Sequence, residues 1–452
     1  MLYSFFFLAG LIAYLRYIEK QSVLNFLAVL VLFLLSLLSK PAAIIFPIVL
    51  LAIDYYYNRF KQTRTYIEKI PFLLFSVIFG LLTLNAQSMV GAVDSGSIYP
   101  MQSRIFFGFY GIMMYLVKTI IPIGLCTFYT FPPINISLPT IYYFSPVVTL
   151  GLAILFFKSY YRNKIVAFGI LFYLINLALV LQFIPIGSAI IADRYTYMPL
   201  IGVFMIVGYY FQKWMEAKSG KITTLALSVL TIVTVVLFQL TRNQVATWKN
   251  SASLWDHAIS VAPSSRAYNN RGLIYKKDNQ TSKAIDMYSK AINMNKLEKE
   301  AIVNRGNIYF NEKKYELAIE DYNKCLAIDA KNKLAIENRG AAYAATGKYE
   351  LALIDMDLSL TLNPNSINGF ANRGMLKQLL NQHKGAIEDY YTHLKNTSDT
   401  DGSIWNAIGV SHLRLGEYEK AIECFDKAIQ LGNNPGFLQN KELAISNLER
   451  KK

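Results

Sequence analysis

Charge is scarce in this chain. Of 452 residues only 17% are charged, against 54% hydrophobic. Soluble globular chains average roughly 25% charged, so part of this one is too apolar to be an ordinary water-facing domain. Cysteine is scarcer still. Cys126, Cys325 and Cys424 are scattered and never fall in C-x-x-C spacing, which excludes a disulfide framework and a cysteine zinc site. Cys325 and Cys424 sit at repeated helical positions and read as small core residues. The four histidines, His257, His383, His393 and His412, lack metal-ligand spacing and read as surface or inter-helix residues. No motif interleaves aromatic with basic residues, so nucleic acid is not the expected partner despite a net charge of +15. Membrane proteins retain Lys and Arg in their cytoplasmic loops, which accounts for that charge.

The apolar residues are concentrated in 1–240. A membrane span needs about 20 mostly apolar residues. Candidate segments are Leu2–Tyr14, Val23–Leu38, Pro41–Tyr57, Ile70–Leu84, Ile105–Ile121, Tyr143–Phe157, Ile165–Phe183, Met198–Phe211 and Ile222–Leu240. No basic region precedes the first, so it does not read as a signal peptide. Residues 1–240 are therefore expected to form a transmembrane helical domain of about eight or nine segments.

Loop charges orient these segments. Arg16 and Lys20 follow the first, Arg59, Lys61, Arg64 and Lys69 the third, Lys158, Arg162 and Lys164 the sixth, and Lys213, Lys218 and Lys221 the eighth. The positive-inside rule puts all four loops in the cytoplasm. Nine full crossings would separate the loops after segments three and six, so one segment between them is expected not to cross. Ile105–Ile121 is the choice, because it carries Lys118 and is flanked by Arg104 and by the proline-containing stretch from Pro122 to Pro139. Lys40, the loops 86–104, 122–142 and 184–197, and the C-terminal tail then share the outer face.

The tail repeats. Asn-Arg-Gly recurs at Asn270-Arg271-Gly272, Asn304-Arg305-Gly306, Asn338-Arg339-Gly340 and Asn372-Arg373-Gly374 in steps of 34, with Gly409 one residue late. Ala284, Ala318, Ala352, Ala386 and Ala421 keep the same step, and Tyr288, Tyr322, Met356, Tyr390 and Phe425 follow four residues after each. This is the tetratricopeptide pattern, a stack of helix pairs. The expected order is a junction with a partial repeat at 241–264, five repeats over 265–435, and a polar capping helix over 436–452. The aromatics are expected to fill the gaps between neighbouring repeats, and Pro364 to close the third. A concave groove suited to a protein or peptide follows, with Asn269, Asn270, Asn304, Asn338 and Asn372 as candidate lining residues. The site shared by Asn269, Val303, Glu337 and Ala371 varies, and no basic set to clamp a terminal carboxylate stands out. The fold class is all-α: a polytopic transmembrane bundle followed by an α-solenoid.

Four stretches of the apolar half carry a resemblance: Leu38-Ser39-Lys40-Pro41, Ala52-Ile53-Asp54-Tyr55-Tyr56, Phe183-Ile184-Pro185, and Ala192-Asp193-Arg194-Tyr195-Thr196-Tyr197-Met198-Pro199. Thr247-Trp248-Lys249 to Leu254-Trp255 fits as well. With the order of its parts, the chain resembles bacterial members of the transmembrane and tetratricopeptide-repeat-containing, protein O-mannosyltransferase-like family. The resemblance implies a C-type glycosyltransferase body that takes a polyprenyl-phosphate sugar at the outer face, in a bacterial inner membrane with the repeats in the periplasm. It also leads one to expect further helices and an acidic outer loop upstream of Met1.

Transfer from a lipid phosphate needs a base for the acceptor's proton and cations for the leaving phosphate. Lys40 and Arg194, with Tyr195, are the expected donor-binding residues. Snorkelling to lipid headgroups is the plainer reading of both cations, and an interfacial aromatic belt that of Tyr195 and Tyr197. Asp193 reads as a base, as a ligand for a divalent metal, or as an ion-pair partner of Arg194, the last being favoured. Asp94 lies in a turn-like segment and reads as solvated. Membrane lipids and a protein held by the repeats are the expected partners. The alternative to a glycosyltransferase is a non-catalytic, membrane-anchored scaffold, and a third reading is a subunit of envelope polymer export or assembly.

Overall fold

The apolar runs fold as helices, the element that satisfies its own backbone polar groups where water is scarce. The computed structural model describes residues 2–89, 99–132, 137–181, 183, 189–217, 220–397, 400–432 and 434–451. The chain divides into two units, Met1–Ala262 and Pro263–Lys452.

The first unit contains α1 (Leu2–Lys20), α2 (Val23–Ser39), α3 (Phe46–Tyr56), α4 (Thr63–Ile67), α5 (Ile70–Met89), α6 (Met101–Ile120), α7 (Thr140–Ser159), α8 (Lys164–Leu177), α9 (Pro199–Glu216), α10 (Gly220–Thr247) and α11 (Ser251–Val261). Among the described residues, four helices are long and apolar enough to cross a membrane: Leu2–Lys20, Thr63–Gln87, Thr140–Ser159 and Ile222–Thr247. Apolar but shorter are α2, Pro41–Tyr56 and α8. Each of the nine apolar segments falls on a helix, but Ile165–Phe183 does not stay helical. It leaves the helix after Leu177, and its end seats Leu181 and Phe183 against Gly111 and Gly108 of α6.

Packing in this unit rests on aromatic rings and close backbone approach. Phe7, Phe33, Phe46 and Phe72 are fully buried, with Phe46 centred 5.0 Å from both Phe7 and Phe33. A Cβ on Gly169 would lie 2.6 Å from the Gly202 carbonyl, and one on Gly202 2.3 Å from that of Gly169. Helices α8 and α9 therefore cross at a distance only glycine permits, the small-residue packing common between apolar helices. Helix α10 differs from the rest, because none of its 18-residue apolar window is buried. Two short strands, β1 (Tyr129–Thr130) and β2 (Ala189–Ile191), pair antiparallel and tie the segment after α6 to the segment before α9.

The second unit is five helix pairs and a final helix. The pairs are α12 (Ser265–Lys277) with α13 (Thr281–Met294), α14 (Lys299–Asn311) with α15 (Tyr315–Ile328), α16 (Lys333–Ala345) with α17 (Tyr349–Leu362), α18 (Ile367–Leu379) with α19 (His383–Asn396), and α20 (Gly402–Arg414) with α21 (Tyr418–Leu431), followed by α22 (Pro435–Lys451). The repeating glycine explains the pairing. A Cβ at Gly272, Gly306, Gly374 or Gly409 would lie 2.6–2.9 Å from the ring of Tyr288, Tyr322, Tyr390 or Phe425. Each aromatic thus closes the pair of its own repeat, and Tyr288 and Tyr322 belong to one buried cluster that runs on into the following repeats. In the third repeat Met356 replaces the ring, and a Cβ at Gly340 would meet nothing nearer than 3.2 Å. The turn inside each pair needs one left-handed residue: Asn279, Lys313, Gly347, Asn381 and Gly416 all have φ between 57° and 76°. Glycine suits this conformation and asparagine tolerates it.

Candidate functional site

Within the first unit the residues expected to bind a donor lie close together. Lys40 is an extended residue between α2 and the 3-10 turn Pro41–Ile45, where proline prevents α2 from continuing. Its Nζ lies 5.5 Å from the centroid of the Tyr195 ring and 5.7 Å from that of Tyr3. Arg194 approaches the same Tyr195 ring at 5.0 Å. Its Nη1 donates to the Thr127 carbonyl at 2.9 Å and its Nη2 to the Tyr195 hydroxyl at 3.3 Å. Two cations thus share one ring, an arrangement held by cation–π attraction.

Asp193 does not join them. Its Oδ2 accepts from the Cys126 backbone N–H at 2.6 Å and from the Tyr129 hydroxyl at 3.1 Å, while Oδ1 is buried without a partner. Burial raises its carboxyl above the ordinary range, against those hydrogen bonds and the charge of Lys118. The expected Asp193–Arg194 ion pair is absent, because the β1–β2 pairing turns the carboxylate onto the 126–129 segment. The aspartate staples that segment through Oδ2, and Oδ1, though unpartnered, is closed to solvent, so neither oxygen is open to an acceptor's proton. A metal does not fit either: one oxygen is taken, and among the described residues no group of three His, Cys, Asp or Glu converges. Asp94, Ile184, Pro185 and Lys218 lie outside the described residues. Nearby, Lys118 donates to the Ile123 and Gly124 carbonyls at 2.9 Å, and the Leu125 carbonyl meets His257 at 2.9 Å and Gln244 at 3.3 Å.

A second group in this unit was not anticipated. Tyr14, Asp54, Arg59, Glu68 and Lys69 are all buried together. Arg59 Nη1 lies 2.7 Å from Asp54 and 2.9 Å from Glu68; Lys69 Nζ stands at the same two distances from them. The Tyr14 hydroxyl donates to Asp54 at 2.7 Å and the Tyr17 hydroxyl to Glu68 at 2.8 Å. Two cations and two anions cancel. Arg59 and Lys69, counted above as loop charges, therefore carry no net charge to a membrane surface, which leaves Lys61 and Arg64 to orient that loop. The signal available in the sequence was Asp54 itself, an acid inside an apolar run.

In the second unit the recurring arginine has a role. Arg305, Arg339 and Arg373 each make a bidentate pair with an aspartate sixteen residues on, Asp321, Asp355 and Asp389, through bonds of 2.6–2.9 Å. The third nitrogen of each donates back to the preceding repeat, at Ser289, Asn323 and Asp357. Those carboxylate bonds raise the pKa of each guanidinium against the opposing effect of burial. In the fifth repeat Ile408 and Cys424 occupy the two positions and are buried.

The asparagines are not equivalent. Asn269 is 2% exposed and its Oδ1 accepts from Asn304 Nδ2 at 3.1 Å, so it supports the groove from below, a correction to its expected place as lining. Asn270 is half-buried, and Asn372 is exposed. Asn338 Nδ2 donates to Asn307 Oδ1 at 2.7 Å, as does the Tyr322 hydroxyl. Two cavities follow this face. One, of about 280 Å³, is lined by Lys276, Asn307, Phe310, Asn311, Tyr322 and Asn338. The other, of about 570 Å³, lies along α16 and α18 and includes Asn338, Ala341, Ala344, Asn372, Met375 and Leu376. Asn307, Asn311 and the alanines went unread because they break the repeat's consensus instead of forming it.

Comparison with known proteins bears on this unit. Models of the tetratricopeptide repeat match residues 265–296, 300–332 and 403–434, so these segments are tetratricopeptide repeats. Among solved structures the chain is similar to YrrB, described as a TPR protein with an unusual peptide-binding site, at 21% identity over 42% of this chain and 99% of that one, with a TM-score of 0.41. It is similar to MamA at 20% identity over 37% and 91%, with a TM-score of 0.36. For MamA of Desulfovibrio magneticus RS-1 the identity is 18% over 37% and 94%, with a TM-score of 0.35. No curated protein matches the chain. None of these matches is a glycosyltransferase, so that resemblance rests on the motifs of the first unit alone.

Proposed function

We propose that this chain is a membrane-anchored scaffold whose tetratricopeptide repeats dock a partner protein on the outer side of a bacterial inner membrane. The observation that carries the reading is the face of the array with its two cavities, where Met375 stays 48% exposed beside carboxamides able to hold a peptide backbone. A position facing water gains nothing from such residues, whereas a docking surface does.

Contacts inside the first unit support the side assigned to the tail. Tyr55 stacks on Tyr160 at 4.7 Å, Lys164 reaches the side chain of Asn58, and Arg64 bonds Gln21 at 3.2 Å. The loops near 21, 58–64 and 160–164 therefore share one end. Between the second and third lie α5, α6 and α7, and three full crossings would part them. Of the three, α6 is the one not apolar enough to cross. Lys40, Cys126, Asp193 and Gln244 belong together through the bonds and ring contacts above, at the other end. Helix α10 delivers the repeats there. The test is a Lys331→Cys variant in intact spheroplasts, where the native cysteines are buried. Labelling by a membrane-impermeant maleimide before lysis is expected; labelling only after lysis overturns the side. For docking, a photo-crosslinking residue at Asn372 should give a discrete adduct. One at Glu350, exposed on α17 and outside both cavities, should not. Equal adducts from both sink the groove as the docking face.

The glycosyltransferase reading is favoured by one observation, the convergence of Lys40 and Arg194 on Tyr195 without a carboxylate between them. On that reading the pair holds the phosphate of a polyprenyl-linked sugar, Arg194 through its planar fork and Lys40 as a point charge. With a polyprenyl-phosphate sugar supplied, Arg194→Ala should abolish transfer; transfer at the wild-type rate removes this role.

A further inference from the structure

The two cavities differ in chemistry in a way that specifies what docks there. In the smaller, Asn307 Oδ1 already accepts two hydrogen bonds, from Asn338 and Tyr322. An amide whose oxygen is saturated presents its Nδ2 hydrogens outward. Asn311 and the exposed Lys276 stand beside it. The lining therefore offers hydrogen-bond donors and a cation, and no carboxylate. In the larger cavity the charges cancel locally: Lys333 lies 3.8 Å from Glu337, which also accepts from Ser359 at 3.0 Å. What remains there is uncharged: the amides of Asn338, Asn368 and Asn372 with Ser366 on one hand, and Ala341, Ala344, Leu376 and the exposed Met375 on the other. Small side chains on the facing positions leave the room, and the flexible Met375 can close over what enters. Asn338 lines both cavities, and its amide nitrogen is engaged with Asn307, so its oxygen is left to accept a backbone N–H from a chain lying across it.

We infer that the groove takes an extended partner segment carrying a large apolar side chain, seated against Ala341, Ala344 and Met375, and an acidic side chain nearer the N-terminal end of the array, seated between Lys276 of the first repeat and Asn311 of the second. The claim rests on the docking function proposed above and adds the chemistry of the ligand. Charge complementarity fixes the acidic end: Lys276 has no acidic partner among the described residues, whereas the apolar cavity is neutral. An acidic residue placed in the apolar cavity would meet Glu337.

The experiment uses the full chain in lipid nanodiscs and four pools of fluorescein-labelled, end-capped peptides of degenerate sequence, read by fluorescence anisotropy. The pools contain Leu with Glu, Leu with Lys, Ala with Glu, and Ala with Lys at otherwise matched random positions. The Leu-with-Glu pool should bind best. Replacing Leu by Ala should weaken binding about tenfold, the order expected for one buried aliphatic side chain. Replacing Glu by Lys should weaken it about fivefold, the scale of one half-exposed charge pair. Lys276→Glu should reverse the charge preference and leave the Leu preference intact. Ala341→Phe, which fills the larger cavity from an exposed position, should abolish the Leu preference and leave the charge preference. Binding by all four pools equally, or preferences unmoved by both variants, overturns the cavity assignments while docking stands. Failure of every pool to bind overturns docking itself.

Discussion

The first unit gathers its buried charges at one point, whereas the repeats string theirs along a ladder. In the first, Asp54, Arg59, Glu68 and Lys69 form a neutral cluster capped by two tyrosines, drawn from α1, α3 and the segments either side of α4. In the second, three Arg–Asp pairs recur every 34 residues, each buried at its aspartate and about one-fifth exposed at its arginine. A buried cluster is all-or-nothing, because removing one member strands a charge that has lost its water. A ladder fails one rung at a time, since each repeat contacts only its neighbours. The same chemistry thus makes one unit brittle and the other graded.

The sharpest way to break this comparison is Asp54→Ala. It leaves Arg59 and Lys69 with Glu68 alone and should cost about 3–5 kcal/mol, seen as loss of monodisperse protein in detergent or a large drop in thermal midpoint. A shift no larger than that of a surface variant would mean the cluster is hydrated. The corresponding change in the array, Asp355→Ala, should cost only about 1–2 kcal/mol, because Arg339 is partly exposed and recovers water. Chemical denaturation followed by circular dichroism should show it, and a loss matching that of Asp54→Ala would erase the distinction. The smallest effect concerns the surface. The Lys299 ammonium, 2.8 Å from Asp329, holds that carboxyl below the usual range. The folded state then binds the proton less readily than the unfolded one. Its contribution is complete above the ordinary aspartate pKa and is lost as pH falls through the lower folded value. Acidification from neutral pH to about pH 3 should therefore destabilise Lys299→Ala less than the parent, by a few tenths of a kcal/mol.

The repeats were legible because periodicity needs no knowledge of distant contacts. Gly272, Ala284 and Tyr288 announce a helix pair, and their recurrence announces a stack. Even there the pattern shows only one layer of the packing. The arginine of Asn-Arg-Gly reads as part of the glycine motif, whereas its partners Asp321, Asp355 and Asp389 stand sixteen residues beyond it. Left-handed residues recur at 279, 313, 347, 381 and 416, but only two are glycine, so composition hides the turn. The first unit offered less. Tyr14 meets Asp54 and Glu68 across 40 and 54 positions, a pairing no local pattern encodes. Lys40 and Arg194 were found as isolated cations, but that they share the Tyr195 ring, and that Asp193 turns away from Arg194, depends on a two-stranded pairing too short to show as alternation.

Helix α10 has a consequence of its own. Where helices of its unit pack through glycine, as α8 and α9 do at Gly169 and Gly202, interlocking shapes order them and few exchanges are tolerated. Over its apolar window α10 presents nothing but surface, while Thr224, Ser228, Thr231 and Thr234 fold their hydroxyls back onto its own carbonyls. Such a segment is a leash: its length and greasiness matter, and the order of its letters hardly does. Mutational drift should therefore run freely along residues 222–240 while it stalls at Gly169 and Gly202.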